Sequence, residues 1–379
     1  MKDTVFQQIL KPITKNLIQE CCRRFRSDHR YESFSTIDHL KTMVYAQIHE
    51  IKSLRTLEVA INSQKIGIKS QIKRSTLSDA NNKRPAACFF WLLEQLMSLL
   101  PRKKHKEMDK VVRILDSSPI QLRGQGYDEW SKEYATRHIQ GLKLHLEYDL
   151  ALNSPLKAIT SHANVNDASM GKHWPILKDT IYIFDKGYYD YNWWWSIHQK
   201  QAYFVSRLKK NAAIIIESET KTISQEILKD CLFSISNKVP RGGKRMEYKE
   251  TLRYISVERK GKKPLILVTN LKDMSAENIA YLYKARWEIE LFFKWIKQNL
   301  KIKKFLGKSE NAVKIQIASA LICYLLIQLF KIQVHDMRSL RLFLTWVKHN
   351  LSILKFNKRK KEPPAFNFDY KYQIGGVYL

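Results

Sequence analysis

The sequence predicts an α/β protein, with a sheet-forming core, a helical N-terminal domain and a β-rich insertion. Three observations carry this expectation. Residues 1 to about 108 place apolar side chains at helical spacing. After Asp109 the pattern changes to short apolar or alternating runs, bounded by turn residues and separated by helical stretches. From about Asn211 to Lys263, short strands and basic turns follow one another with no helix between them.

The N-terminal helices come first. FSTIDHLKTMVYAQIHE has Ser35 or Thr36 placed as N-cap, and SLRTLEVAINS follows as a second helix. RSTLSDANNKR has Ser75 or Thr76 placed to cap a third. Three short helices with basic ends suit a helix-turn-helix DNA-binding module. CFFWLLEQLMSLL ends at Pro101, and RKKHK reads as a linker or a phosphate contact. The core then opens with VVRILDSSPIQL, a strand ending in an acid and two serines. GLKLHLEYDL and PLKAITSHANV are the next strands. TIYIFDKGYYDY is an apolar strand that again ends at an acid, before the helix YNWWWSIHQKQ and the strand AYFVSRLK. In that helix Trp193, Trp194 and Trp195 read as core packing and helix surface. After the insertion, LILVTNL leads into a helix from Tyr281 to Lys301. IQIASALICYLLIQLF, interrupted by Gln316, Ser319 and Gln328, reads as a buried core helix. The expected domains are 1–108, 109–210, 211–265, 266–333 and a basic helical tail at 334–379.

Of 379 residues, 44% are apolar, enough for a sizeable core. Lysines and arginines number 66 against 36 aspartates and glutamates, a net charge of +30. That excess spreads along the whole chain, so nucleic acid suits it better than a membrane surface. Five scattered cysteines form no CxxC, which points to a reducing compartment. MKDTVFQQILKPI contains no unbroken apolar run of the kind a signal peptide needs. The expectation is a soluble, cytoplasmic protein. His138, His145, His162 and His173 show no metal-ligand spacing, and no phosphate-binding G-x-x-x-x-G-K-[ST] occurs, so no nucleotide cofactor is expected.

Chemistry gathers at three acids. ILDSS and YIFDKG are strands of similar make-up ending in Asp116 and Asp185. Acids at the rim of a core must be hydrated, paired or metal-bound. The third is Glu290. On a helical wheel Arg286, Glu290, Lys294, Lys297 and Lys301 all fall within about 60° of Tyr283, at the border of the apolar face. Asp149, Asp190, Asp273 and Glu288 compete by residue type. Asp149, however, reads as a hairpin entry, and Glu288 falls about 140° from Tyr283. Three gathered carboxylates repel one another unless a divalent cation neutralises them; magnesium suits an all-oxygen site. Two ions could then activate the attacking oxygen and stabilise the leaving one at a phosphodiester. Arg286, Lys294 and Lys297 would hold backbone phosphates nearby.

Tyr283, Arg286, Glu290 and Lys297 match Y-x2-R-x3-E-x6-K, a signature of bacterial insertion-sequence transposases of the insertion sequence 4 family. LDSSPI resembles that family's first-aspartate motif and FDKGYYDY its second. FQQILKPI, FSTIDHLKTMVYAQ, SLRTLEVAINS and RSTLSDANNKR resemble an N-terminal domain found on some members. The resemblance implies a ribonuclease H-like core, a mixed sheet flanked by helices, with Asp116, Asp185 and Glu290 as ligands of two Mg²⁺ ions, for which Mn²⁺ can substitute. It implies cut-and-paste DNA transposition, in which a freed 3′-hydroxyl attacks the opposite strand to form a hairpin before insertion. Its partners would be the terminal inverted repeats and target DNA, bound by a dimer in the synaptic complex. Tyr283, Arg286, Lys294, Lys297 and Lys301 would contact DNA. The insertion has no tryptophan between Asn211 and Pro264, so Tyr248 or Tyr254 would stack on a flipped base. A catalytically inactive DNA-binding regulator, or a ribonuclease H-like nuclease without strand transfer, would share much of this pattern.

Overall fold

The computed structural model describes residues 3–353, apart from 30–32, 64–66, 69–70, 101–103, 106–108, 221–223, 237–247 and 301–303. Six helices come first: α1 (Val5–Ile9), α2 (Lys15–Phe25), α3 (Thr36–Ile48), α4 (Leu54–Ser63), α5 (Arg74–Lys83) and α6 (Ala86–Ser98). Then come β1 (Val111–Gln121), α7 (Asp128–Ser131), β2 (Gly141–Asp149), β3 (Ser154–His162), α8 (Asp167–Gly171) and β4 (Thr180–Phe184). A 3-10 turn at Lys186–Tyr188 leads to α9 (Tyr191–Gln199), β5 (Tyr203–Arg207), β6 (Ile214–Thr220), β7 (Ile227–Ile235), β8 (Leu252–Val257) and β9 (Leu265–Thr269). The last helices are α10 (Ala276–Ala285), α11 (Trp287–Asn299), α12 (Glu310–Gln333) and α13 (Leu340–Asn350).

The chain divides into two compact units. Among the described residues, the first comprises those of 1–100, 119–142 and 292–353, and the second those of 101–118 and 143–291. In the first, α12 is apolar on every side and packs against α3, α5 and α6, as an all-round hydrophobic helix must. Asn311, in its first turn, donates to the Asn81 and Arg84 carbonyls and accepts from the Ala86 N–H, which fixes the α5–α6 junction. Ser35 caps α3 by accepting from the Asp38 N–H. The expected cap of α5 is different: the helix starts at Arg74, after Lys73, so Ser75 and Thr76 lie inside its first turn. The reason is a neighbour, since Glu58 of α4 accepts the Arg74 N–H at 3.1 Å and does the work of a cap.

The second unit holds most of a nine-stranded sheet of order β3-β2-β1-β4-β5-β9-β8-β7-β6. β1, β4 and β5 are parallel neighbours; β5, β9, β8, β7 and β6 pair antiparallel. The β-rich insertion thus extends the same sheet outward from β9. Trp193 and Trp194 of α9 pack with Phe184, Tyr188 and Phe204 in the aromatic core, while Trp195 is half-buried beside Tyr248.

Candidate active site

The register of two parallel strands places the first two acids. β1 and β4 pair from Val111↔Thr180 to Leu115↔Phe184. Asp116 and Asp185 are the next residue on each strand, so they leave the paired segment side by side, on neighbouring strands about 4.8 Å apart. One expectation needs correcting: β1 does not end at Asp116 but runs on to Gln121. It is β4 that stops, at Phe184, which frees that edge of β1 beside Asp116. Asp185 turns its carboxylate back to accept the Gly187 N–H at 2.7 Å and so starts the 3-10 turn. The Ser117 N–H donates to Asp116 Oδ1 at 2.8 Å.

Glu290 arrives from a helix that is not continuous. The sequence period runs unbroken from Tyr281 to Lys301, but the structure interrupts the helix at Arg286, between α10 and α11. The Arg286 N–H bonds the Tyr283 carbonyl, a three-residue step instead of four. The Arg286 guanidinium then bridges two of the acids: Nη1 lies 3.4 Å from Asp116 Oδ2, and Nη2 lies 2.5 Å from Glu290 Oε1. The electrostatics agree with this proximity. Burial raises the Asp116 carboxyl, Arg286 and the Ser117 N–H lower it, and Asp185 and Glu290 raise it again, to about 7. Asp116 therefore feels both other carboxylates as well as the arginine. Among the described residues, no three His, Cys, Asp or Glu side chains close around one ion position.

The remaining predicted residues divide. Tyr283 is buried; burial pushes its hydroxyl up to about 12, and the Arg286 guanidinium sits 5.8 Å from its ring centroid. Lys294 is exposed on α11, and Lys297 donates to the Pro119 carbonyl at 3.0 Å. Lys301 lies outside the described residues. Tyr248 is buried, its hydroxyl 3.1 Å from His198 Nδ1, whereas Tyr254 on β8 is partly exposed.

Sequence reasoning missed one wall. A cleft of about 600 Å³ opens beside Asp185, lined by Lys186, Gly187, Arg207, Lys209 and Lys210 among others. The signal was RLKKN at the end of a strand. Its importance depends on β5 being the parallel neighbour of β4, which brings both C-terminal ends to one edge.

Residues 107–326 match the transposase DDE domain, and residues 1–67 match a domain of unknown function (DUF4372). The chain is 36% identical over 258 residues to the "Putative transposase y4zB" of Sinorhizobium fredii, covering 67% of this chain and 70% of that protein. It is 26% identical over 259 residues to the "Probable transposase for insertion sequence element IS5377" of Geobacillus stearothermophilus, covering 67% and 66%. Among solved structures, the piggyBac transposase in its synaptic complex with hairpin DNA is similar at a TM-score of 0.50 and 9% identity, over 92% of this chain and 79% of that one. That likeness is one of fold.

Proposed function

Since this chain belongs to the DDE transposases of bacterial insertion sequences, we propose that it cuts the ends of its element and joins them to target DNA at Asp116, Asp185 and Glu290. The observation that carries this reading is the meeting of three elements distant in sequence. Register sets Asp116 beside Asp185, and one guanidinium spans Asp116 and Glu290. The strand order and the piggyBac likeness support a ribonuclease H-like core around them.

The residue types suit divalent cations. The donors are all carboxylate oxygens, and burial, with a smaller push from Asp185 and Glu290, holds Asp116 far above an ordinary carboxyl. Two Mg²⁺ or Mn²⁺ ions, when bound, would supply activation of the attacking oxygen and stabilisation of the leaving one. The chain's own residues do the rest. The Ser117 N–H orients Asp116. Arg286 neutralises Asp116 and Glu290 in the absence of DNA, and the buried Tyr283 ring supports it. Lys186, Arg207, Lys209 and Lys210 offer a cationic wall to phosphates entering beside Asp185. Lys294, Lys297 and Lys301 extend the phosphate contacts, and a dimer in the cytoplasm holds two inverted repeats together. The hairpin route fits the DNA in the piggyBac complex; the partly exposed Tyr254 is the ring available in the insertion for stacking on a flipped base.

Incubation of the full chain with a labelled element end and Mg²⁺ tests this. Glu290→Gln should retain end binding and lose nicking by on the order of 1,000-fold or more. A variant that nicks at the wild-type rate removes Glu290 from the mechanism. Cleavage without joining would make the protein a nuclease, and binding without cleavage a regulator.

A further inference from the structure

We propose that Asp167 is a fourth carboxylate of the cation site, offering its Oδ2 to a divalent cation shared with Asp185; this rests on the reading of Asp116, Asp185 and Glu290 as that site. Asp167 is the first residue of α8 and reaches the site from an element that none of the sequence motifs includes. Its two oxygens are unequal. Oδ1 accepts the Ser117 hydroxyl at 2.9 Å and lies 3.5 Å from Lys143 Nζ and 3.7 Å from His145 Nδ1. Oδ2 accepts no hydrogen bond among the described residues. It faces Gly187 instead, where an added Cβ would stand 3.3 Å from it and 2.8 Å from Asp185 Oδ1. Both carboxylates therefore converge on the space that a missing side chain leaves. The Gly187 backbone is not in the left-handed region, so the glycine serves the space and not the turn.

A second observation concerns the same carboxylates. Tyr188 is fully buried, its hydroxyl has no hydrogen-bond partner among the described residues, and the charges of Asp167, Asp116 and Asp185 reach it, Asp167 most strongly. A buried hydroxyl without a partner needs explaining, and a water held by a cation among these carboxylates would donate to its oxygen. The ion pairs are unevenly shared. Arg286 pairs with Asp116 and Glu290, and Lys143 with Asp167, while Lys186, Arg207, Lys209 and Lys210 line the cleft beside Asp185.

The test is Mn²⁺ binding to the full chain without DNA, read from the free-ion electron paramagnetic resonance signal. Asp167→Asn keeps an acceptor for Ser117 and removes only the charge. It should weaken Mn²⁺ binding about ten-fold or more while leaving the far-ultraviolet circular dichroism unchanged. Gly187→Ala, which puts a methyl between the two carboxylates, should weaken binding in the same direction and serves if Asp167→Asn does not fold. Asp116→Asn is the reference. If it loses Mn²⁺ while Asp167→Asn and Gly187→Ala bind like wild type, Asp167 only positions Ser117 and the proposal is overturned. If Asp116→Asn also binds like wild type, or the wild type binds no Mn²⁺, the reading of the whole site falls with it.

Discussion

The centre and the far edge of the sheet follow different rules. In β4 all five residues are buried, and β1 beside it is buried through Val112–Leu115. In β6, at the end of the strand order, six of seven residues are exposed. The centre is covered on both faces and carries the acids where its pairing ends. The edge is an antiparallel ribbon that exposes Ile215 and Ile216 beside Glu217 and Glu219. The lesson is that chemistry sits where the backbone has the least freedom. A carboxylate must be held against its neighbours' repulsion, and strands packed on both faces supply that restraint for Asp116 and, at the end of β4, for Asp185.

Two ion pairs sharpen the contrast most. Arg113 of β1 and Glu147 of β2 form a buried pair, whereas Lys229 and Glu219 of the edge ribbon pair at 3.1 Å in the open. Arg113→Ala leaves Glu147 charged, buried and unpartnered, and should cost about 3–5 kcal/mol in urea denaturation. Lys229→Ala should leave the urea midpoint where it is. Equal midpoint shifts would mean that the centre is no more committed than the edge. Apolar truncations come next. Ile183→Ala in β4 should cost about 3 kcal/mol, against less than about 0.5 kcal/mol for the exposed Ile216→Ala in β6.

The same contrast explains what could be read in advance. Helical periodicity marked α3, α4 and α6, and alternating or apolar runs marked β2, β3 and β4, because those patterns are local. The acids could be named because each follows a strand or lies on a helical stripe. Their juxtaposition could not, since it depends on the pairing of Leu115 with Phe184, 69 positions away (184 minus 115). The break at Arg286 left no mark because YLYKARWEIELFF keeps its period across it. The Arg207–Lys210 wall and Asp167 escaped for the same reason. Each becomes part of the site only through strands and turns that fold beside it.

The centre should also betray itself through pH. The folded Asp116 carboxyl sits at about 7 against an ordinary 3.8, so between these values the folded state holds a proton that the unfolded state has released. Its contribution is present at low pH, is lost as pH rises from about 4 to about 7, and is flat above. In chelator, the stability difference between wild type and Asp116→Asn should fall across that window by on the order of 1 kcal/mol or more. A difference that does not change with pH would mean that Asp116 is neither as buried nor as crowded as its neighbours imply.

The smallest effect asks which lysines are available to DNA. Lys229, at the edge, spends its charge on Glu219, so Lys229→Ala should leave the salt dependence of end binding unchanged. Lys297, half-buried on α11, donates to the Pro119 carbonyl at 3.0 Å. If it neutralises one phosphate, Lys297→Ala should weaken end binding and make the slope of log affinity against log salt shallower by about one. A filter-binding titration over a range of salt concentrations measures both variants side by side. An unchanged slope for Lys297→Ala would give the side chain a different task, holding the Pro119 carbonyl at the end of β1. In that case the phosphate contacts belong to the wall beside Asp185.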